Sequence, residues 1–124
     1  INMDLYAYQI LDHYKQPRNY GVLAGADASS EQANLSCGDN IVMYLKVDEG
    51  VLRNIKFTGD GSAISKATAS MLTEKLVGRR AEDVLAMDLD SIREILGIEI
   101  SDRRSGCALI GLTAIQASLK NIAQ

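Results

Sequence analysis

Three short segments of this sequence hold the side chains that could bind a metal or transfer sulfur. They are Ser36-Cys37-Gly38-Asp39, Gly59-Asp60-Gly61-Ser62 and Arg103-Arg104-Ser105-Gly106-Cys107. In each segment a glycine adjoins a polar group or a thiol, and glycine allows a sharp turn and the close approach of a ligand. Cys37 and Cys107 are the only two cysteines, so all thiol chemistry of the chain depends on them.

Cys37 and Asp39 are two residues apart on a predicted turn, so both side chains could reach one metal ion. Thiolates favour zinc and iron–sulfur clusters, whereas a carboxylate is a harder ligand that weakens such a site. A weak, open site suits a protein that must release its metal cargo. The alternative interpretation is that Asp39 closes the turn by bonding its own backbone.

Cys107 and Ser62 are both predicted at the N-terminus of a helix, where free N–H groups and the helix dipole stabilise negative charge. At Cys107, this effect and the nearby Arg103 and Arg104 favour the thiolate. Ser62 has the simpler interpretation of a helix N-cap.

The two cysteines have other interpretations that the sequence leaves open. In a cytosolic domain, Cys37 and Cys107 indicate metal binding or reactive thiols. Either one could instead be a small buried apolar side chain. A disulfide between them is the third interpretation.

Apolar periodicity predicts the elements that must position these residues. Helices are predicted at 3–14, 63–77, 81–87, 91–96 and 108–122, and strands at 41–47 and 51–57, with the hairpin connection Asp48-Glu49-Gly50 between the strands. Residues 24–40 have the composition of a loop, with room for one short edge strand. Because the helices follow the strands and do not alternate with them, we expect an α+β fold. Its small antiparallel sheet, of about three strands, should carry helices on one face.

Bulk properties exclude several classes of partner. The length of 124 residues predicts one domain over 1–124. A net charge of −3 gives no general attraction to nucleic acid or to anionic membranes. No apolar run is long enough to span a bilayer, and no secretory signal is visible, so we expect a cytoplasmic location.

Four segments, in order along the chain, resemble motifs of the IscU/NifU family of iron–sulfur scaffold proteins. The first is Leu11-Asp12-His13-Tyr14-Lys15-Gln16-Pro17-Arg18-Asn19, which is similar to the family's N-terminal signature. Asn34-Leu35-Ser36-Cys37-Gly38-Asp39 resembles the first cysteine motif, and Gly61-Ser62-Ala63-Ile64-Ser65 resembles the second, usually Gly-Cys-Ala-Ile-Ser. Cys107, before the last helix, resembles the third cysteine.

The resemblance implies a SufE/NifU-like fold and a carrier role, not an enzyme. A cysteine desulfurase supplies sulfur as a persulfide, iron is added, and a [2Fe–2S] cluster forms and passes to acceptor proteins. The implied cofactor-binding residues are Cys37, Asp39 and Cys107, with Ser62 in the metal site, which can also hold zinc or iron. Folding should therefore bring these four side chains together.

Two departures from the family motifs concern the ligands. Ser62 stands where the family has its second cysteine, and Gly106 stands where the IscU branch has a histidine. A cluster or a structural zinc normally has four ligands, and an alcohol is a poor one. Three explanations are open. Ser62 is an engineered Cys→Ser change, or the site is completed by a second subunit in a homo-oligomer or by a partner in a complex. The third is that metal binding is lost.

Two further functions compete with the scaffold. One is a zinc-dependent sulfurtransferase that accepts a persulfide on Cys107 from the desulfurase. The other is a metal-free interaction module with structural cysteines. The IscU chaperone-binding segment is also missing, since Ile100-Ser101-Asp102-Arg103 takes its place.

Overall fold

The computed structural model describes residues 2–97 and 99–122, with side chains from residue 7 onward. Its elements are α1 (Asn2–Lys15), β1 (Ala28–Asn34), β2 (Asp39–Asp48), β3 (Val51–Asp60), α2 (Ala63–Leu76), α3 (Ala81–Leu85), α4 (Leu89–Leu96), a 3-10 turn (Asp102–Arg104) and α5 (Ser105–Ile122). The order of helices and strands confirms the predicted α+β class. None of the helices in the described ranges is long and apolar enough to cross a membrane.

The sheet is antiparallel with strand order β1-β2-β3. The connection between β2 and β3 is a two-residue turn, Glu49-Gly50, in which both residues have positive φ. Such a turn matches the right-handed twist of the flanking strands. The hairpin was predicted correctly, but its connection is one residue shorter than expected, because Asp48 still pairs with Val51.

Strand β1 occupies the segment whose composition predicted mainly loop. Its residues alternate between half-buried and exposed along the whole strand. It lies at the edge of the sheet and pairs with β2, from Ala28 opposite Leu45 to Asn34 opposite Asp39. Polar side chains are compatible with an edge strand, which has solvent on one side.

The core lies between one face of the sheet and helices α2 and α5. The side chains on that face of β2 and β3 are fully buried: Ile41, Met43, Leu45, Ile55 and Phe57. Helix α5 crosses α2 closely at Gly111, where a Cβ would come within 3.3 Å of the Ala69 Cα. This close crossing places the N-terminal turn of α5 beside the start of β2.

Two helix starts differ from the sequence prediction. Helix α4 begins at Leu89, two residues earlier than predicted, with Asp88 as its N-cap in a capping box with Ser91. Helix α5 begins at Ser105, three residues earlier than predicted, because the 3-10 turn leads directly into it. Cys107 is therefore the third residue of α5.

Helix α1 packs against α2 and is joined to it by polar contacts. The Ser70 hydroxyl of α2 accepts a hydrogen bond from the backbone N–H of Arg18 at 2.8 Å. The same hydroxyl pairs with His13 Nδ1 at 2.7 Å. Asn19 Nδ2 donates to Thr73 Oγ1 at 3.0 Å. These bonds fix the N-terminal segment on α2.

Stability should fall with acidification through His13. Burial, and secondly the charge of Arg18, lower the pKa of His13 from its ordinary value near 6.5, against the opposing effects of Glu74 and Asp12. The unfolded chain then binds this proton at a higher pH than the folded protein does. We expect the free energy of unfolding to decrease as pH falls below about 6.5 towards the lower folded pKa.

The measurement is urea unfolding across this pH window for the wild type and for His13→Gln. The glutamine variant should show a smaller decrease, because its side chain does not titrate. Equal pH slopes for the two proteins would contradict the assignment to His13.

Candidate metal and sulfur site

Three of the predicted site residues come together at the start of β2. Cys37 lies on the turn between β1 and β2, Asp39 is the first residue of β2, and Cys107 lies in the first turn of α5. One potential ligand atom from each lies within 4.8 Å of the other two. A single ion could therefore contact both sulfurs and a carboxylate oxygen.

Cys37 and Cys107 form a disulfide in this structure. Their Cα atoms are 6.4 Å apart, and the bridge spans 70 positions of the chain. The disulfide joins the β1–β2 turn to α5. Because a metal ligand must be a thiolate, neither sulfur can bind an ion until the bond is reduced.

The Cys37 turn is held by Asn34, which lies in the first cysteine motif but had no role predicted from the sequence. The Asn34 side-chain oxygen accepts hydrogen bonds from the backbone N–H groups of Ser36 at 3.0 Å and Cys37 at 3.3 Å. Gly38 follows with a φ of +69°, which favours glycine. An asparagine two or three residues before a turn position is a recognisable signal, since its side chain commonly bonds the backbone ahead of it.

Asp39 holds the N-terminus of α2. The side chain is only 3% exposed, and its Oδ1 accepts a hydrogen bond from the Ser62 backbone N–H at 2.6 Å. The Ser65 hydroxyl donates to Oδ2. These bonds reach another element, so the interpretation that Asp39 bonds its own turn is wrong. An ionised carboxylate has about four lone-pair sites, so Asp39 could coordinate a metal ion while it keeps both hydrogen bonds.

Gly61 allows this close contact between β2 and the start of α2. A Cβ at Gly61 would collide with the Asp39 side chain, and the residue has a φ of +151°. A larger residue would push Ser62 away from Asp39. The sequence singled out this glycine, but it could not show which side chain lies against it.

Ser62 is the N-cap of α2, as its simpler interpretation predicted. Its hydroxyl oxygen accepts from the Ser65 backbone N–H at 3.2 Å and lies 3.1 Å from the Ser65 hydroxyl. The hydroxyl is thus already engaged in the cap. The predicted role of Ser62 in a metal site stays a prediction.

The surroundings of Cys107 differ from the sequence prediction. The 3-10 turn precedes α5, so the free end of the helical segment lies before Cys107. Arg103 and Arg104 are exposed, and no hydrogen bond or ion pair among the described residues joins either one to a site residue. Cys107 itself is 7% exposed.

The family model described as NifU-like N terminal domain matches residues 5–124. The chain belongs to this family. It is 40% identical over 83 residues to the iron–sulfur cluster assembly scaffold protein IscU of Thermotoga maritima, which covers 67% of this chain and 58% of that protein. It is 34% identical over 133 residues to the zinc-dependent sulfurtransferase SufU of Bacillus subtilis, which covers 93% of this chain and 90% of that protein.

Solved structures of NifU-like domains share the fold. SufU from Fervidobacterium islandicum AW-1 has a TM-score of 0.74 at 25% identity and covers 94% of this chain and 97% of its own. The N-terminal NifU-like protein of Brucella abortus has a TM-score of 0.78 at 22% identity, over 97% and 95% of the two chains. The predicted family and the predicted fold are both confirmed.

In this NifU-like domain, Gly106 has a structural partner in Asn34. A Cβ at Gly106 would lie 2.8 Å from Asn34 Nδ2, which is tighter than an ordinary contact. The Asn34 carboxamide thus occupies the space that the Cβ of any larger residue at position 106 would need. One asparagine contacts the segments that carry both cysteines.

Removing the Asp39 carboxylate should destabilise the oxidised protein. Asp39→Ala leaves the Ser62 N–H and the Ser65 hydroxyl without their acceptor, and we expect a loss of about 2–4 kcal/mol. Asp48→Ala, at the exposed end of the same strand, is the matched control and should change stability by less than about 0.5 kcal/mol. Denaturant unfolding measures both. Equal losses would show that Asp39 does not hold α2.

Removing the Asn34 side chain should slow closure of the disulfide. Asn34→Ala loses the acceptor that holds the Cys37 turn, and a loss of about 1 kcal/mol corresponds to a roughly fivefold slower reaction. Asn34→Asp keeps an acceptor oxygen and should close at close to the wild-type rate. Oxidised glutathione added to reduced protein, quenched by alkylation, gives the rates. Identical rates in all three proteins would contradict this role.

Proposed function

We propose that this chain is a scaffold for iron–sulfur cluster assembly, which receives sulfur and iron, holds a transient [2Fe–2S] cluster and passes it to acceptor proteins. The observation that supports this most strongly is the convergence of Cys37, Asp39 and Cys107 within 4.8 Å. The relatives named IscU, from Thermotoga maritima and from Streptococcus pyogenes, support the same role.

The donor set fits a cargo that must be released. Two thiolates select zinc or iron–sulfur species, and the Asp39 carboxylate is a harder and weaker ligand. Asp39 keeps its position through its bonds to Ser62 and Ser65, so reduction of the disulfide leaves the third ligand in place. The cargo is then a [2Fe–2S] cluster, zinc or iron.

The fourth ligand of the bound metal does not come from Ser62 or Gly106, so it is the position at which an incoming ligand can bind. The Ser62 hydroxyl is engaged in the cap of α2, and Gly106 has no side chain to offer. The fourth ligand then comes from water, from a second copy of the chain or from an acceptor protein. A ligand supplied by the acceptor would draw the cluster out of the site.

The zinc-dependent sulfurtransferase is the second candidate. It is supported by two thiols in direct reach of one another and by the likeness to SufU of Bacillus subtilis. From the sequence we expected Cys107 to accept the persulfide, but burial favours Cys37. Cys37 is only half-buried on a turn, whereas Cys107 is 7% exposed. A cysteine desulfurase would deliver sulfur to Cys37. The metal-free interaction module has less support, because the relatives reported above are named for cluster assembly or for zinc-dependent sulfur transfer.

Both functions require a reducing compartment. Cytosolic thiol systems keep such cysteines reduced, whereas oxidising compartments favour the disulfide. We therefore propose a cytoplasmic location. The disulfide would then be a transient state of the working protein.

The affinity for Zn²⁺ should depend on the redox state of the two cysteines and on the residue at position 62. Reduced wild type should bind Zn²⁺ and the oxidised protein should not, because the disulfide removes both thiolates. Ser62→Cys should raise the affinity at least about tenfold by adding a third thiolate. Competition with a chromophoric chelator measures these affinities.

The matched control for position 62 is Ser62→Ala. If the hydroxyl is only a cap, the affinity should stay at the wild-type value, whereas a drop would make Ser62 a ligand. Anaerobic reconstitution with iron and sulfide tests the cluster. Charge-transfer absorption should appear with the reduced protein and not with Cys37→Ser. No absorption from either the wild type or Ser62→Cys would rule out the scaffold.

A further inference from the structure

We propose that this chain reduces the sulfur it accepts, because Cys107 cleaves a persulfide on Cys37, releases sulfide and leaves the Cys37–Cys107 disulfide. The inference rests on the proposed acceptance of sulfur and goes beyond it. Persulfide sulfur is at the zero oxidation level, whereas a cluster contains sulfide. Two electrons must therefore be supplied, and a second thiol can supply them by thiol–disulfide chemistry.

The geometry places the two sulfurs for this reaction. The Cα atoms of Cys37 and Cys107 are 6.4 Å apart, within the usual range for a disulfide, so the bond needs no movement of the backbone. Asn34 holds the turn that carries Cys37 and contacts the residue before Cys107. The side chain that holds the Cys37 turn thus also lies against the segment that carries Cys107.

Burial assigns different roles to the two cysteines. Cys37 is half-buried on a turn whose neighbours Leu35 and Ser36 are exposed, Leu35 at 95%. An incoming persulfide can reach this sulfur. Cys107 is 7% exposed and is shielded from the donor. Cys37 therefore receives the sulfur and Cys107 acts on it.

The step balances in atoms and electrons. The Cys107 thiolate attacks Cys37 Sγ, so that a new Sγ–Sγ bond forms while the bond from Cys37 Sγ to the terminal sulfur breaks. The terminal sulfur leaves as hydrosulfide with the bonding pair, and the proton of the Cys107 thiol passes to water. The two cysteine sulfurs are oxidised to the disulfide, and the terminal sulfur is reduced to sulfide.

The chain cannot repeat the step unaided. It has no third cysteine, and the Ser62 hydroxyl does not attack a disulfide as a thiolate does. A dithiol from outside must reduce the bond, itself becoming a disulfide and returning two thiols to the chain. Without one, release stops at one sulfide per chain. The disulfide seen in the structure is the end state of this turnover.

The test uses the full chain, reduced, freed of small thiols and handled without oxygen, with glutathione persulfide as the sulfur donor. Wild type should release about one sulfide per chain above background and lose both thiols, and its digest should contain the linked Cys37 and Cys107 peptides. Cys107→Ser should keep the extra sulfur on Cys37 and release sulfide only at the background rate. That variant measures how much free glutathione contributes.

Two further measurements keep the outcomes distinct. Cys37→Ser should take up little sulfur on the buried Cys107, and Asp48→Ala, at the exposed far end of β2, should behave as wild type. A stable persulfide on Cys37 in the wild type, with the two cysteine peptides unlinked, would overturn the inference and leave sulfur acceptance intact. No persulfide on Cys37 even in Cys107→Ser would overturn acceptance as well. The peptide map of the wild type alone shows whether the persulfide on Cys37 is stable or is replaced by the Cys37–Cys107 disulfide.

Discussion

The site depends on one buried carboxylate. Asp39 begins β2 and accepts hydrogen bonds from the first residues of α2, across a contact that only Gly61 permits. This interaction joins the sheet to its central helix at one point. Cys37 is two residues before Asp39, so this contact fixes one end of the turn that carries Cys37, while Asn34 holds the turn itself. A fold that lost the carboxylate would lose the acceptor that anchors the N-cap residue of α2 and one candidate ligand of the site.

Helix α5 supplies the other half of the site, and apolar packing sets its position. It covers the same face of the sheet as α2 and crosses that helix at Gly111 and Ala69. This crossing fixes where the first turn of α5 lies, and hence where Cys107 lies. Packing thus sets the position of the helix that carries Cys107, while hydrogen bonds to Asn34 hold the turn that carries Cys37.

Local sequence signals predicted the elements that carry strong patterns. The hairpin, α2 and most of α5 have clear periodicity, and the motif order led to Cys37, Asp39 and Cys107. Strand β1 was anticipated only as a short edge strand somewhere in residues 24–40. Its span, Ala28–Asn34, could not be located from the sequence, because its polar residues become a strand only by pairing with β2. The partners of Asp39 and the contact of Asn34 with Gly106 were also hidden, since both join residues far apart in sequence.

The span of the disulfide links the redox state of the protein to its rigidity. Closing a loop of 70 positions removes freedom from the unfolded chain, which is worth about 4 kcal/mol in a chain-entropy estimate. Reduction thus creates the ligands and loosens the molecule in one event. A metal held by the same two sulfurs would restore the cross-link. The reduced chain without metal is then the least constrained form of the protein. Release of a bound metal or cluster to an acceptor would return the domain to this form.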